Sequence, residues 1–132
     1  MQKHLLLMAA LTVVLLSSTA PADESPTFSD DVSRILQNRC QTCHRPGEYA
    51  PFSLLNYRDA SVRLSDIHDV VQARVMPPWK PVPGFGDFLE PRRLSDAERT
   101  TLLRWIEAGA PEGDPAKLPP PLEFPKDRKS VV

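Results

Sequence analysis

Two cysteines and a histidine stand together in the pentapeptide Cys40-Gln41-Thr42-Cys43-His44, and the chain has no other cysteine. Two thiols at this spacing lie on one turn, with the imidazole directly after them. C-x-x-C-H is the attachment pattern of c-type haem, in which each thiol forms a thioether with a haem vinyl group and the histidine binds the iron as its proximal ligand. The pentapeptide therefore predicts one covalent haem c held by Cys40 and Cys43, with His44 as an axial ligand.

Three other uses of the two cysteines compete with this interpretation: a redox dithiol, a structural disulfide and a zinc site. A thioredoxin-like dithiol belongs to a βαβ unit, and this sequence has helix and loop signals instead. A zinc site needs four ligands, and only His68 could add to the cluster. The spacing and the residues around it favour haem.

Residues 1–22 predict a secretory signal peptide. A basic start at Lys3 is followed by an apolar run over 5–16 and by small residues that end at Ala22. The apolar run is about a dozen residues long, whereas a membrane-spanning helix needs about 20. We expect cleavage after Ala22, no membrane span afterwards, and a periplasmic or other extracytoplasmic location, where a free dithiol tends to oxidise.

Composition limits the remaining possibilities. The 132 residues fit one compact domain, and a formal charge of -1 provides no basic surface for nucleic acid. Fifteen prolines and 7% aromatic residues indicate much rigid loop and a thin side-chain core. A haem would complete such a core, so we expect the haem-free chain to be largely unfolded.

The periodicity of apolar residues predicts an all-α fold with three main helices joined by Pro-rich loops, and no sheet. The first helix covers 29–40, with Ser29 or Asp30 as its cap, and the second covers 59–75. The third begins at a capping box of Ser95 and Glu98 and ends at Gly109. A leader over 23–27, a haem domain over 28–115 and an extended or disordered tail over 116–132 complete the predicted organisation.

These features resemble the class I, mono-haem cytochrome c domain, in the bacterial variety that carries Met-Pro-Pro-Trp after its middle helix. The matching stretches are 28–47, 75–80 (VMPPWK) and 94–115 (LSDAERTTLLRWIEAGAPEGDP). The resemblance implies a fold wrapped around one haem, with Met76 as the second axial iron ligand. Two prolines after Met76 would fix the backbone beside its sulfur. His68 is the alternative ligand, because it lies on the apolar stripe of the second helix.

Other residues have predicted supporting roles. Trp105 should pack the last helix against the first. A carbonyl from the loop after His44, with Pro51 as the named candidate, should orient the imidazole. Donors for the haem propionates are expected from a set of aromatic and basic residues. These residues are Trp79, Tyr49, Tyr57, Arg92 and Arg93.

An iron bound by His44 and Met76 has no open position for a substrate, so we expect an electron carrier rather than an enzyme. Its partners would be a donor and an acceptor redox protein of unknown identity, with the chain a monomer or a small subunit. Two alternatives remain open. One is a five-coordinate or bis-His haem sensor or peroxidase-like protein, and the other is a non-haem interaction module with a disulfide.

Overall fold

A computed structural model describes residues 24–82, 84–88 and 91–124. Within these ranges the fold is all-helical, with four α-helices and no strand. The elements are a π-helical turn Phe28–Val32, α1 Ser33–Arg39, α2 Tyr57–Ser61, α3 Leu64–Gln72, α4 Asp96–Glu107 and a 3-10 turn Pro115–Lys117. No helix in the described ranges has both the length and the apolar character needed to cross a bilayer. The predicted signal peptide and its cleavage point lie outside these ranges.

The first helix runs without interruption from the π-helical turn into α1, close to the predicted 29–40. Its cap is Thr27 rather than Ser29 or Asp30. The Thr27 hydroxyl accepts from the Asp30 N–H, and the Asp31 carboxylate accepts from the Thr27 N–H at 2.9 Å. Two acidic residues in the first turn also suit the positive end of the helix dipole. The helix buries Phe28, Val32, Ile35 and Leu36.

The expected single helix over 59–75 is wrong, because the chain forms α2 and α3 with a break at Val62 and Arg63. The Asn56 side chain caps α2 by accepting from the Asp59 N–H at 2.9 Å. At the break, the Ser61 hydroxyl donates to the Arg58 carbonyl. The same carbonyl also accepts from the Val62 N–H, and that helical hydrogen bond is long, at 3.4 Å. Competition of this kind weakens the next turn of a helix.

α3 ends earlier than predicted, in a Schellman turn. Val75 N–H bonds to the Val70 carbonyl at 2.9 Å, and Arg74 N–H bonds to the Val71 carbonyl at 3.2 Å. Arg74 itself has a φ of +57°, a left-handed conformation in which glycine is usual. The turn directs the chain away from the helix immediately before Met76.

α4 begins and ends as predicted. Ser95 and Glu98 form a reciprocal capping box, and Gly109, with a φ of +87°, provides the left-handed residue after the helix. Trp105 is fully buried, its ring lies 6.1 Å from that of Phe28, and its indole N–H donates to the Pro111 carbonyl at 3.0 Å. The predicted packing of the last helix against the first is confirmed.

The segment after α4 lies along the first helix. Phe28 and Ser29 N–H groups donate to the Pro111 and Glu112 carbonyls, each at 2.9 Å. Farther along, Gln37 donates to the Pro120 carbonyl, also at 2.9 Å. The described part of the tail is therefore extended beyond the 3-10 turn and is held against this chain's own helix.

Candidate functional site

The pentapeptide forms a tight turn that continues directly from α1. Cys40 N–H still bonds to the Leu36 carbonyl at 2.9 Å. The Cys40 carbonyl then accepts from both Cys43 N–H, at 3.1 Å, and His44 N–H, at 2.9 Å. Both cysteines are free thiols. The helix thus carries the two thiols and the imidazole on a single turn of backbone.

The loop over 45–56 folds back and holds this turn in place. Leu54 N–H donates to the His44 carbonyl at 3.0 Å, and Ala50 N–H donates to the Cys43 carbonyl at 3.3 Å. Gln41, only 4% exposed, donates from its side-chain amide to the Leu54 carbonyl at 3.0 Å. Gln41, one of the two residues between the cysteines, is therefore a buried link between the turn and the loop.

The His44 imidazole is oriented from one side. Its Nδ1 lies 3.2 Å from the Phe52 carbonyl oxygen, and its ring lies 4.7 Å from the Phe52 ring. Burial lowers the pKa of His44, and the Phe52 carbonyl only partly opposes that effect. A neutral ring that donates from Nδ1 leaves the Nε2 lone pair available to a metal. The orienting carbonyl comes from the predicted loop, but from Phe52 rather than Pro51.

The surroundings of the Cys40 thiol are not those of a reactive redox cysteine. Its side chain packs against the hydrophobic core. Burial, followed by the charge of Glu98 and by Cys43, raises the pKa of the Cys40 thiol to about 12. A thiol that stays protonated at neutral pH is a poor nucleophile for disulfide exchange. This environment does not favour a catalytic dithiol, and the effect of Glu98 shows that the start of α4 lies close to Cys40.

Met76 borders a cavity that is also lined by Val71 of α3 and Arg99 of α4. Met76 is 38% exposed, and the cavity has a volume of about 310 Å³. Apolar residues and three arginines line it. They are Val71, Arg74, Met76, Pro77, Trp79, Pro81, Arg93, Leu94 and Arg99.

A second cavity of about 270 Å³ shares Trp79, Pro81 and Arg93 with the first. The Trp79 ring also stands edge-on to that of Phe88, with centroids 5.2 Å apart. The structure thus brings Met76, Trp79 and Arg93 together.

The walls of these two cavities do not include the pentapeptide residues Cys40, Cys43 and His44. Arg39 links the two regions. Its Nε forms an ion pair with Glu98 at 2.9 Å, and its Nη1 donates at 2.9 Å to the carbonyl of Pro91, which lines the second cavity. Arg39 precedes Cys40, and Glu98 precedes the cavity residue Arg99. The candidate ligands therefore lie on two neighbouring parts of the molecule that meet at the start of α4.

The other predicted site residues occupy different places. His68 is partly exposed on α3, with Nδ1 3.1 Å from an Asp69 carboxylate oxygen. Tyr49 is 87% exposed, and Arg92 is exposed and lines neither cavity. The Tyr57 hydroxyl donates to the Ala110 carbonyl at 3.0 Å, which gives it a structural role in this arrangement.

Sequence reasoning missed Gln41, Phe52 and Arg99. Nothing in the sequence marks Gln41 or Phe52, because their partners are distant backbone groups. Arg99 did leave a signal, since it shares the spacing of the apolar stripe formed by Leu102, Leu103 and Ile106. Its Nε is shielded from solvent and has no hydrogen-bond partner among the described residues. A buried N–H left in that state costs about 1–3 kcal/mol.

Comparison with protein-family models, with curated protein sequences and with solved structures finds no match to this chain. Among the described residues, no three His, Cys, Asp or Glu side chains cluster as a metal site of their own. The functional argument therefore rests on the residues and their geometry.

Proposed function

We propose that this protein is an exported mono-haem c-type cytochrome that carries electrons between redox partner proteins. Cys40 and Cys43 would hold the haem through thioethers, and His44 and Met76 would be its axial ligands. The observation that carries the proposal is the pentapeptide turn, in which two free thiols and an imidazole oriented through Nδ1 follow one helix. A structural disulfide or a simple loop has no need for a histidine held in this tautomer.

The chemistry of the donor set fits a haem. Imidazole and thioether are suitable iron ligands, and a thioether in place of a second imidazole raises the reduction potential. When bound, the haem supplies reversible one-electron transfer at its iron. Burial lowers the pKa of His44, and the Phe52 carbonyl holds the proton of the neutral ring on Nδ1, which leaves Nε2 for a metal. Pro77 and Pro78 limit the conformations of the chain after Met76.

The exposed apolar side chains of the loop after α3 also support a haem. Val75 is 56% exposed, Val82 61% and Phe85 76%. These side chains give the loop apolar surface that a bound group would cover. A porphyrin is a large apolar disc, and burying its face against this loop would exclude water from Met76.

Met76 is favoured over His68 as the second ligand by its surroundings. Met76 lines a cavity together with apolar residues and three arginines, whereas His68 is partly exposed and its Nδ1 contacts the Asp69 carboxylate. A thioether sulfur, which is a soft ligand, suits the iron of an electron carrier. The Met76 arrangement therefore supports electron transfer more than ligand sensing.

Expression with a c-type haem maturation system tests the attachment. Intact-mass spectrometry and a pyridine haemochrome spectrum should show one covalent haem in the wild type. Cys40→Ser combined with Cys43→Ser should remove it, because no thioether then forms. Thr42→Ala, an exposed change inside the same pentapeptide, should retain it. A wild-type polypeptide without covalent tetrapyrrole, above all one with a Cys40–Cys43 disulfide, would exclude the proposal and favour the interaction module.

The axial ligand is tested in the haem-loaded protein. Sulfur-bound ferric haem gives a weak charge-transfer band in the red, which Met76→Ala should abolish. His68→Ala is the matched control and should leave the band unchanged. Loss of the band in neither variant, or its absence from the wild type, would contradict ligation by Met76 and favour a five-coordinate or bis-His haem.

A further inference from the structure

The segment 52–54 holds His44 at two points. The Phe52 carbonyl oxygen lies 3.2 Å from Nδ1 of the imidazole, and the two rings lie 4.7 Å apart with their planes at 49°. Leu54 donates its N–H to the His44 carbonyl at 3.0 Å. Both the ring and the backbone of His44 are therefore fixed by this short segment.

The Phe52 ring has a second partner, which comes from the start of α3. The guanidinium carbon of Arg63 lies over this ring, 4.9 Å from its centroid. A cation at that distance from an aromatic face is attracted by the ring's quadrupole. Arg63 thus contacts Phe52, and Phe52 contacts His44, so that three side chains form one connected column.

The break between α2 and α3 places Arg63 on this ring. Arg63 precedes α3 with a φ of −125° and a ψ of 19°, which are not helical values. Its N–H bonds to the Ala60 carbonyl at 3.0 Å, and its carbonyl accepts from the Ile67 N–H at 2.9 Å. Its Nη1 also lies 3.4 Å from an Asp66 carboxylate oxygen. Arg63 is therefore held at both its backbone and its side chain while its guanidinium lies on the ring.

The charge of Arg63 is a weak influence on His44. The Arg63 side chain is nearly half exposed, and the Asp66 carboxylate offsets its charge, so solvent and a counter-charge both screen it. The contact with the Phe52 ring acts at short range and is not screened in this way. The column therefore points to a mechanical effect of Arg63 more than to an electrostatic one.

We infer that Arg63 is a positioning residue for the His44 ligand. Its guanidinium holds the Phe52 ring, which limits movement of the Phe52 backbone and keeps the carbonyl on the Nδ1–H of His44. A hydrogen bond at this nitrogen orients a metal-binding imidazole and raises its basicity. The inference rests on the proposed function, in which His44 is an axial ligand, and it gives Arg63 a part in setting the strength of that ligand.

Hydrogen exchange of the His44 Nδ1–H, measured by NMR in the reduced, haem-loaded protein, tests the positioning. Arg63→Leu should accelerate this exchange about two- to five-fold, the factor that corresponds to a cation–π contact at an exposed site. Arg58→Leu removes the same charge from an exposed position of α2 and should leave the rate unchanged. Gly109→Ala strains a left-handed turn after α4 without a collision, and it controls for general destabilisation.

Phe52→Leu shows whether Arg63 acts through the aromatic ring. This variant keeps the backbone carbonyl but removes the ring, so it should itself accelerate the exchange. In the Phe52→Leu background, Arg63→Leu should have no further effect. Arg63→Lys keeps a cation near the ring but loses the planar guanidinium, so it should accelerate the exchange less than Arg63→Leu does.

The reduction potential separates positioning from charge. A weaker hold on Nδ1–H lowers the basicity of His44 and should raise the potential, whereas loss of a positive charge by itself lowers it. We therefore expect the potential of Arg63→Leu to lie above that of Arg58→Leu. A potential equal to or below that of Arg58→Leu would show that Arg63 acts by its charge alone, and it would overturn the inference.

The exchange rates can overturn the inference in three further ways. Arg63→Leu and Arg58→Leu could have the same rate, Gly109→Ala could accelerate the exchange as much as Arg63→Leu, or Arg63→Leu could have the same effect with and without the Phe52 ring. Each of these results would remove the column as the reason for the effect.

The intact mass distinguishes failure of the proposed function from failure of this inference. A chain without covalent haem contradicts the proposed function. In that chain the Leu54 N–H, which bonds to the His44 carbonyl, replaces Nδ1–H as the reporter for the same variants. Non-additive effects of Arg63→Leu and Phe52→Leu on its exchange would support the contact, and additive or absent effects would overturn it.

Discussion

Gly113 lies where the segment after α4 packs closely against Thr27, the cap of the helix that carries the pentapeptide. Its φ of +80° is left-handed, and a Cβ built on it would lie 2.6 Å from Thr27 Oγ1 and 2.7 Å from Thr27 Cβ. Gly109 has a φ of +87°, but a Cβ there would meet nothing within 4 Å. The two glycines thus separate the cost of the backbone conformation from the cost of a collision.

We expect Gly109→Ala to lower the free energy of unfolding by about 1 kcal/mol, the cost of a left-handed non-glycine residue. Gly113→Ala has the same backbone cost and must also displace Thr27 or the segment around residue 113. That displacement weakens the bonds from Phe28 N–H and Ser29 N–H to the neighbouring carbonyls at 111 and 112. At about 1 kcal/mol for each hydrogen bond, the expected total for Gly113→Ala is about 3 kcal/mol.

Urea unfolding followed by far-ultraviolet circular dichroism measures both losses in protein purified after haem maturation. A Thr27→Gly background removes the colliding side chain and changes the cap by only a few tenths of a kcal/mol. In that background Gly113→Ala should cost only about 1 kcal/mol. Equal losses for Gly113→Ala and Gly109→Ala in the natural sequence would refute the reasoning.

Three further predictions concern the elements around the pentapeptide. Gln41→Ala should destabilise the protein by about 1–3 kcal/mol in the same urea assay, because it leaves the Leu54 carbonyl buried without its donor. Gln72→Ala, at an exposed position of α3, is the control and should cost about 0.5 kcal/mol or less. Equal losses would contradict the buried link. Burial acts to raise the pKa of Glu98, but bonds from the capping backbone and from Arg39 lower it overall, so its stabilisation should be present above pH 4.5 and be lost as the pH falls below that value. Melting temperatures measured against pH should therefore fall less steeply for Glu98→Gln than for the wild type below pH 4.5, and parallel curves would count against this assignment. Chain produced without haem maturation should lose most of its far-ultraviolet helicity, and a fully helical haem-free chain would contradict the expectation that haem completes the core.

The ends of the helices show where local sequence is informative. The capping box of Ser95 and Glu98 and the left-handed Gly109 are visible in the sequence, because each uses partners within a few residues. The break between α2 and α3 is not visible, since residues on both sides of it keep the same helical spacing. They are Tyr57, Ala60, Leu64, Ile67 and Val71. A hydroxyl at Ser61 that competes for a helix carbonyl leaves that periodicity unchanged.

Some residues of the candidate site can likewise be recognised from the sequence, whereas their contacts cannot. Residue types and spacing identify the Cys40, Cys43 and His44 turn, and they place a methionine before two prolines. The residues that surround the pentapeptide turn and Met76 are distant from them in sequence. Gln41 bonds to Leu54 across the loop, and Arg99 reaches the Met76 cavity from a different helix.

The sequence by itself determined the helical class, the chemistry offered by the pentapeptide, and the signals that start and end α4, because these depend on neighbours along the chain. Only the tertiary structure decided that Phe52 supplies the carbonyl to His44, that the described part of the tail lies on the first helix, and that Arg99 lines the same cavity as Met76. Such pairings depend on how distant segments pack, and backbone carbonyls, which carry no sequence signal, provide many of the partners.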